Sequence, residues 1–151
     1  MRKHLLGVLA LGVLALGFGA PAVMAQYGQN SPVLQLDINV PWAFTVENTT
    51  LPAGQYEIVQ TQAGTDTPWQ WTISDVKGMV KVIFFTEPDY MRTPPKADEA
   101  TFDVVGGHHY LVALWTTGDT EGYGIAMTRT ERNAWKRGSK PTQEKVPLKK
   151  K

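Results

Sequence analysis

Alternation with a period of two runs through most of this chain and selects strands over helices from the outset. In VLQLDINV, Leu34, Leu36, Ile38 and Val40 alternate with Gln35, Asp37 and Asn39. After Pro41 the pattern resumes, with Trp42, Phe44 and Val46 set against Ala43 and Thr45. Successive side chains of a strand point to opposite faces, so this spacing puts the apolar set on one face of a half-buried antiparallel sheet.

Turn residues divide the strands. In LPAG, Pro52 has the fixed φ suited to the second turn position and Gly54 stands fourth. A positive φ at Gly54 is the expectation this placement carries. QYEIVQT then leaves the turn with Tyr56 and Ile58 on one face, and WQWTIS alternates Trp69, Trp71 and Ile73 with polar residues. Asp75 to Gly78 reads as a turn. MVKVIFF has several apolar positions in succession, which predicts burial near the middle of a sheet. EPDYMRTPPKADEA reads as the longest loop, stopped by Pro94 and Pro95. TFDVV and HHYLVALW flank Gly106-Gly107, a favoured hairpin pair. TTGDTEGYG reads as a loop and IAM as a short closing strand. Thr128 and Glu131 have the spacing of a capping box, which predicts a short helix ending near Gly138 and anchored by Trp135. The fold class is therefore all-β, a small antiparallel sandwich or barrel of about seven or eight strands with a short C-terminal helix.

The N-terminus reads as an address. Arg2, Lys3 and His4 precede an apolar run from Leu5 to Ala20, and PAVMA puts Val23 and Ala25 at the small-residue positions of a cleavage site. The run is shorter than the roughly 20 apolar residues of a membrane span. Residues 1–25 are thus expected to be a signal peptide cleaved after Ala25, with a periplasmic or extracellular product that is not an integral membrane protein. A polar leading segment (26–32), a single β domain with its helix (33–138) and a disordered basic tail (139–151) complete the expected organisation. The chain has no cysteine, so neither disulfides nor a thiol nucleophile are available, and stability rests on packing by five each of Trp, Tyr and Phe.

A formal net charge of +1 conceals a division. Residues 26–135 carry six Lys/Arg against thirteen Asp/Glu, whereas residues 136–151 carry seven Lys/Arg against Glu144 alone. An acidic body with a basic tail suggests an anionic cell-envelope surface as a partner for the tail, in preference to nucleic acid.

VPWAFTVENTTLPAGQYEI, the later GGHHYLVALWTTG and the charged short helix together resemble an uncharacterised family of small secreted bacterial β-proteins. Its pattern runs Val-Pro-Phe-x-Phe-x-Val, then a Leu-Pro-Ala-Gly-x-Tyr turn motif, then Tyr-x-Leu-x-x-x-Trp. Phe44, Leu51, Pro52, Ala53, Gly54, Tyr56, Tyr110 and Trp115 fit it, and Trp42 stands where the pattern has its first Phe. The resemblance implies secretion and an all-β fold and brings no catalytic residue.

Candidate sites are few. His108 and His109, as strand neighbours, point to opposite faces and do not converge on one metal; a lone histidine would need Asp103 or Glu99 beside it. Ser31, Ser74 and Ser139 lack a nucleophile elbow. Asp98 and Glu99 form an acidic pair of the kind glycoside chemistry uses, but in a loop where acids commonly solvate a surface. No phosphate-binding or dinucleotide motif is present. Trp69 and Trp71 share a face, the spacing of a sugar-stacking platform and equally of a strand filling a core. The sequence therefore assigns no catalytic, cofactor-binding or metal residue and no cofactor. It points to an exported non-enzymatic binding or structural module of the cell envelope, with a small apolar-ligand carrier and a secreted hydrolase as the alternatives.

Overall fold

The computed structural model describes residues 34–62, 69–79, 81–137 and 140–151. The expected signal peptide, the leading segment, Ser31, Gly138 and Ser139 lie outside the described residues. In chain order the elements are β1 (Gln35–Val40), β2 (Phe44–Val46), β3 (Thr49–Leu51), β4 (Gly54–Gln62), β5 (Trp69–Asp75), β6 (Lys81–Tyr90), β7 (Glu99–Val105), β8 (His108–Trp115), β9 (Glu121–Ile125), α1 (Arg129–Lys136) and β10 (Thr142–Lys150).

The all-β reading holds, and the choice between sandwich and barrel resolves to a barrel. Eight strands follow one another in the order β8-β7-β10-β1-β4-β5-β6-β9, and β9 pairs back onto β8 to close the wall. These contacts are all antiparallel. The β2–β3 hairpin lies outside the ring and joins β8 by a short parallel pairing at Phe44 and Thr45. Eight strands enclose an interior just wide enough for side chains to fill. Here Trp71, Phe84, Phe102, Leu36, Ile58 and Leu114 fill it with no exposed surface. The Trp71 indole N–H, which burial would otherwise leave unpaired, donates to Thr86 Oγ1 at 2.9 Å.

The Leu-Pro-Ala-Gly-x-Tyr stretch acquires a physical account. Tyr56 folds back along its own strand, and its hydroxyl donates to the Pro52 carbonyl at 2.7 Å. A tyrosine bonded to backbone a few residues upstream pins a corner between strands. Gly54 does not take the positive φ expected of it; in this corner only Glu47 does, at 50°. A Cβ at Gly54 would meet the Tyr56 ring at 3.6 Å, an ordinary contact, so neither backbone angle nor space requires a glycine there. At Gly106-Gly107 the expectation holds, with φ of 59° and 80°.

Four expectations change. The strand in MVKVIFF is enclosed on one face only: Phe84 is fully buried, whereas Ile83 and Phe85 on the opposite face are both 49% exposed. EPDY belongs to β6 and EGYGI to β9, so both expected loops are shorter than read. The EPDY and EGYGI segments pair with each other across the intervening β7–β8 hairpin, and local turn chemistry carries no sign of that pairing. Trp135 is exposed and does not anchor the helix; Glu131 is its buried residue.

The basic tail is the largest correction. Residues 142–150 form β10, inserted between β7 and β1 with hydrogen-bonded partners on both sides. Val146 and Leu148 point into the core. Each contributes about 1.5–3 kcal/mol of burial. Two aliphatics in a lysine-rich segment suffice for a strand when neighbours supply the rest of the face. The lysines fold onto the acidic body: Lys145 reaches Glu99 at 2.6 Å, Lys150 approaches Asp98 at 3.7 Å, and Lys151 lies 2.6 Å from Glu57 and 3.2 Å from Asp37. Gln35 also donates to Glu57. The charge division is thus answered in part within the molecule, and a free tail reaching for an anionic surface loses its premise.

Candidate functional site: an acidic cleft outside the barrel

The barrel interior is occupied, so the concave surfaces lie outside it. The helix α1 rests on the outer face of β7 and creates a groove on either side. Its N-terminus is fixed by the expected capping box: Thr128 Oγ1 accepts the Glu131 N–H at 3.1 Å, and Glu131 Oε2 accepts the Thr128 N–H at 3.4 Å. The box satisfies otherwise orphaned helix N–H groups and also holds the Glu131 side chain in one place.

The cleft on the Glu131 side has a volume of about 490 Å³ and runs across β7, β8 and β9 toward the outer end of β6. That is within the usual range for small-molecule sites. One wall is Trp115, on the outer face of β8 and only 5% exposed. Its indole lies across β9 so closely that a Cβ on Gly122 would sit 2.3 Å from the ring. Gly124, two residues on, has Asp89 Cβ 3.0 Å from where its own Cβ would be. The glycines of EGYGI are therefore surface-shaping residues. Between them Tyr123 turns inward onto Trp69 and Trp71, with ring centroids 5.0 and 4.8 Å apart. Burial, reinforced by Asp119 and Glu121, pushes the Tyr123 phenol above its ordinary range.

The floor holds two buried acids. Asp103 of β7 is 7% exposed and accepts a hydrogen bond from Gln143 Nε2 at 3.1 Å. Glu131 is 2% exposed; Oε2 serves the capping box, whereas Oε1 is buried with no protein partner. Burial pushes the Glu131 carboxyl above the ordinary carboxylate range, the bond to the Thr128 backbone opposes this, and the charge of Asp103 adds to the rise. Glu87 and Asp89 extend the acidic lining, and Lys145, the one cation lining the cleft among the described residues, is the lysine bonded to Glu99.

The candidates read from sequence do not gather here as a set. His108 and His109 do face opposite sides. His109 stacks on Trp42 with centroids 4.4 Å apart and lies 3.4 Å from Glu144, whereas His108 is exposed and lines the groove on the far side of α1. Asp98 is held by Thr117, whose N–H and hydroxyl donate at 2.7 and 2.9 Å. Burial raises its pKa, but these bonds and Lys150 outweigh that and leave it lowered. Glu99 pairs opposite Trp115 while His108 pairs opposite Val105, at the other end of the β7–β8 hairpin. Six residues of strand separate them by about 20 Å. Loop acids and histidine therefore do not meet. Ser74 sits on a different groove, of about 810 Å³, on the outer face of β1, β4 and β5. That groove is larger, but its charged groups include Lys151 already bonded to Asp37 and Glu57, and it holds no buried orphan atom. Trp71 fills the core, and Trp69 is half-buried against that core. Among the described residues no group of three or more His, Cys, Asp or Glu is placed to hold a metal ion.

Asp103 entered the sequence reading only as a conceivable partner for a histidine, and Glu131 only as a helix cap. The one signal for their meeting was the capping box, which promises a fixed Glu131 but not what the helix covers. The chain matches no family model, no curated protein and no solved structure. The cleft is interpreted from its own chemistry.

Proposed function

We propose that the protein is an exported, non-enzymatic binding module of the cell envelope that takes its ligand on the outside of the barrel, in the cleft beside α1. What carries this reading is the contrast between an interior filled by fully buried side chains and an outer cleft of about 490 Å³ that retains a buried carboxylate oxygen without a partner. A carrier of apolar ligands would need room inside, where Trp71, Phe84 and Phe102 stand. A hydrolase built on Asp98, Glu99 and a histidine would need those residues together, and the hairpin keeps them at its two ends. Export is supported by the basic, apolar and small-residue succession of residues 1–25.

Two measurements test the reading. The intact mass of the exported protein should correspond to a chain beginning at Gln26; a membrane-integrated product retaining residues 1–25 overturns export. A small-molecule fragment screen followed by backbone amide shifts should perturb Gly122, Gly124 and the Trp115 indole. Perturbations confined to the groove of Ser74 and Lys151 would move the binding site there and overturn the assignment to this cleft.

A further inference from the structure

The cleft's chemistry points to a ligand class, an inference that rests on the reading of this cleft as the binding site. Four carboxylate side chains line it, those of Glu87, Asp89, Asp103 and Glu131. Lys145 does not neutralise them, because its ammonium is bonded to Glu99 at 2.6 Å. The two deepest acids come from different elements, Asp103 from a barrel strand and Glu131 from the helix laid over it. Most buried polar atoms in folded proteins have a partner, and an exception calls for an explanation. Glu131 Oε1 is such an exception, on a side chain that is 2% exposed and lines the cleft. A carboxylate oxygen accepts; its complement is a donor, and an ionised donor gives the stronger bond.

Beside the acids the lining is apolar. Trp115, Ile125 and Met127 face the same space. An aromatic wall next to a carboxylate floor favours a charged head on a hydrocarbon stem, with the stem against Trp115. We propose that the cleft binds a small organic cation, a primary ammonium or guanidinium on a short apolar stem, whose N–H groups bond to Glu131 Oε1 and Asp103. Glu131 Oε1 then gains the partner that burial denies it, and Asp103 gains one in addition to Gln143. The cavity accommodates a ligand of small-molecule size, which favours a free cation over a side chain presented by a second protein.

Titration of the folded protein with n-butylammonium, n-butylguanidinium, tetramethylammonium and neutral n-butylurea, followed by backbone amide and indole shifts, tests this. The two N–H cations should perturb Gly122, Gly124 and Trp115 and bind about tenfold or more tightly than the urea, the usual worth of a hydrogen bond to a charged group. Tetramethylammonium carries the charge without donors and should bind more weakly than butylammonium. Glu131→Gln keeps a side chain that can still cap the helix, and should lower cation affinity about tenfold while leaving the spectrum folded. Asp103→Asn serves as the second variant should that one fail to fold. Equal binding of the urea and the cations overturns the cation inference while leaving a binding cleft in place. Cation affinity unchanged in both variants overturns it as well. Silence of the cleft toward all four probes overturns the inference, whereas the binding-module reading falls only on the separate fragment screen. A capped Gly-Lys-Gly peptide binding more tightly than butylammonium would overturn the small-molecule assignment in favour of a protein partner.

Discussion

The two faces of β7 are both buried, by different means. Inward, Ala100 and Phe102 meet other apolar side chains and have no exposed surface. Outward, Thr101 and Asp103 are nearly as buried, at 5% and 7% exposed, beneath a cover that includes a helix of eight residues. The inner face is enclosed by a closed ring of strands, so its burial follows from topology and its chemistry is purely apolar. The outer face is enclosed by one short element that would not persist alone. There, Glu131 Oε1 is buried without a partner. This barrel's interior is filled by side chains, and room for a ligand lies on the outside.

Removing β10 breaks this comparison on both sides and should have the largest effect. A chain ending at Lys140 loses the strand between β7 and β1, along with Val146, Leu148 and Gln143, which bonds Asp103. The wall is then open and both neighbouring strands have a bare edge. Loss of the cooperative thermal transition is the expected outcome, read by circular dichroism. A truncated protein melting as the full chain does would mean that the segment adds nothing to the barrel.

Gly122→Ala isolates the outer face. The added Cβ would stand 2.3 Å from the Trp115 ring, forcing the indole off β9. Overpacking of this kind costs about 1–3 kcal/mol. Chemical denaturation should show the loss together with a change in Trp115 fluorescence, while Gly54→Ala, whose Cβ would find its nearest atom at 3.6 Å, serves as a mild control. Equal effects from the two glycines would contradict the packing described for the cleft wall.

Tyr56→Phe tests a corner of the ring remote from the cleft. It deletes the 2.7 Å bond to the Pro52 carbonyl and nothing else of size. A loss of about 0.5–1.5 kcal/mol is expected. No change in the denaturation midpoint would show that the hydroxyl bonds water equally well and that the corner is held by the backbone.

The ring was largely legible because alternation reports burial face by face: Leu36, Ile38, Trp71, Ile73 and Phe102 all occupy the core. The Gly106-Gly107 turn and the Thr128 cap were legible because each needs only its own few residues. The last strand was not. Lysine outnumbers apolar residues in KVPLKK, and only neighbours about forty or more residues away, from Glu99 and Asp37, make a strand of it. Nor was the site legible. Glu131 and Asp103 are 28 positions apart in the chain, and a cap motif reveals what a helix begins with but not what it rests on.

Glu131→Gln should give the smallest effect on stability, and its sign separates the two faces. Burial holds the folded-state pKa of Glu131 above its unfolded value. Stability from such a group is fully present below the unfolded carboxylate pKa and is lost as pH rises through the folded pKa. At neutral pH the unfolded chain is free to ionise Glu131, whereas the folded protein resists that charge where Asp103 of β7 and Glu87 and Asp89 of β6 also line the space, with Lys145 engaged by Glu99. Glutamine has the same shape and carries no charge. The variant should be slightly more stable than wild type near pH 7, by less than the Tyr56 effect, and the difference should close as pH falls into the carboxylate range. Asp98 and Glu57, whose pKa values are lowered, act in the opposite sense in both proteins, so their contribution falls away as pH drops through the folded values and cancels in the comparison. Denaturation midpoints of the two proteins across that range measure the closing difference. A variant less stable than wild type at neutral pH would mean that the Glu131 charge is stabilising, through the helix N-terminus it caps, and that the outer face is not the strained one.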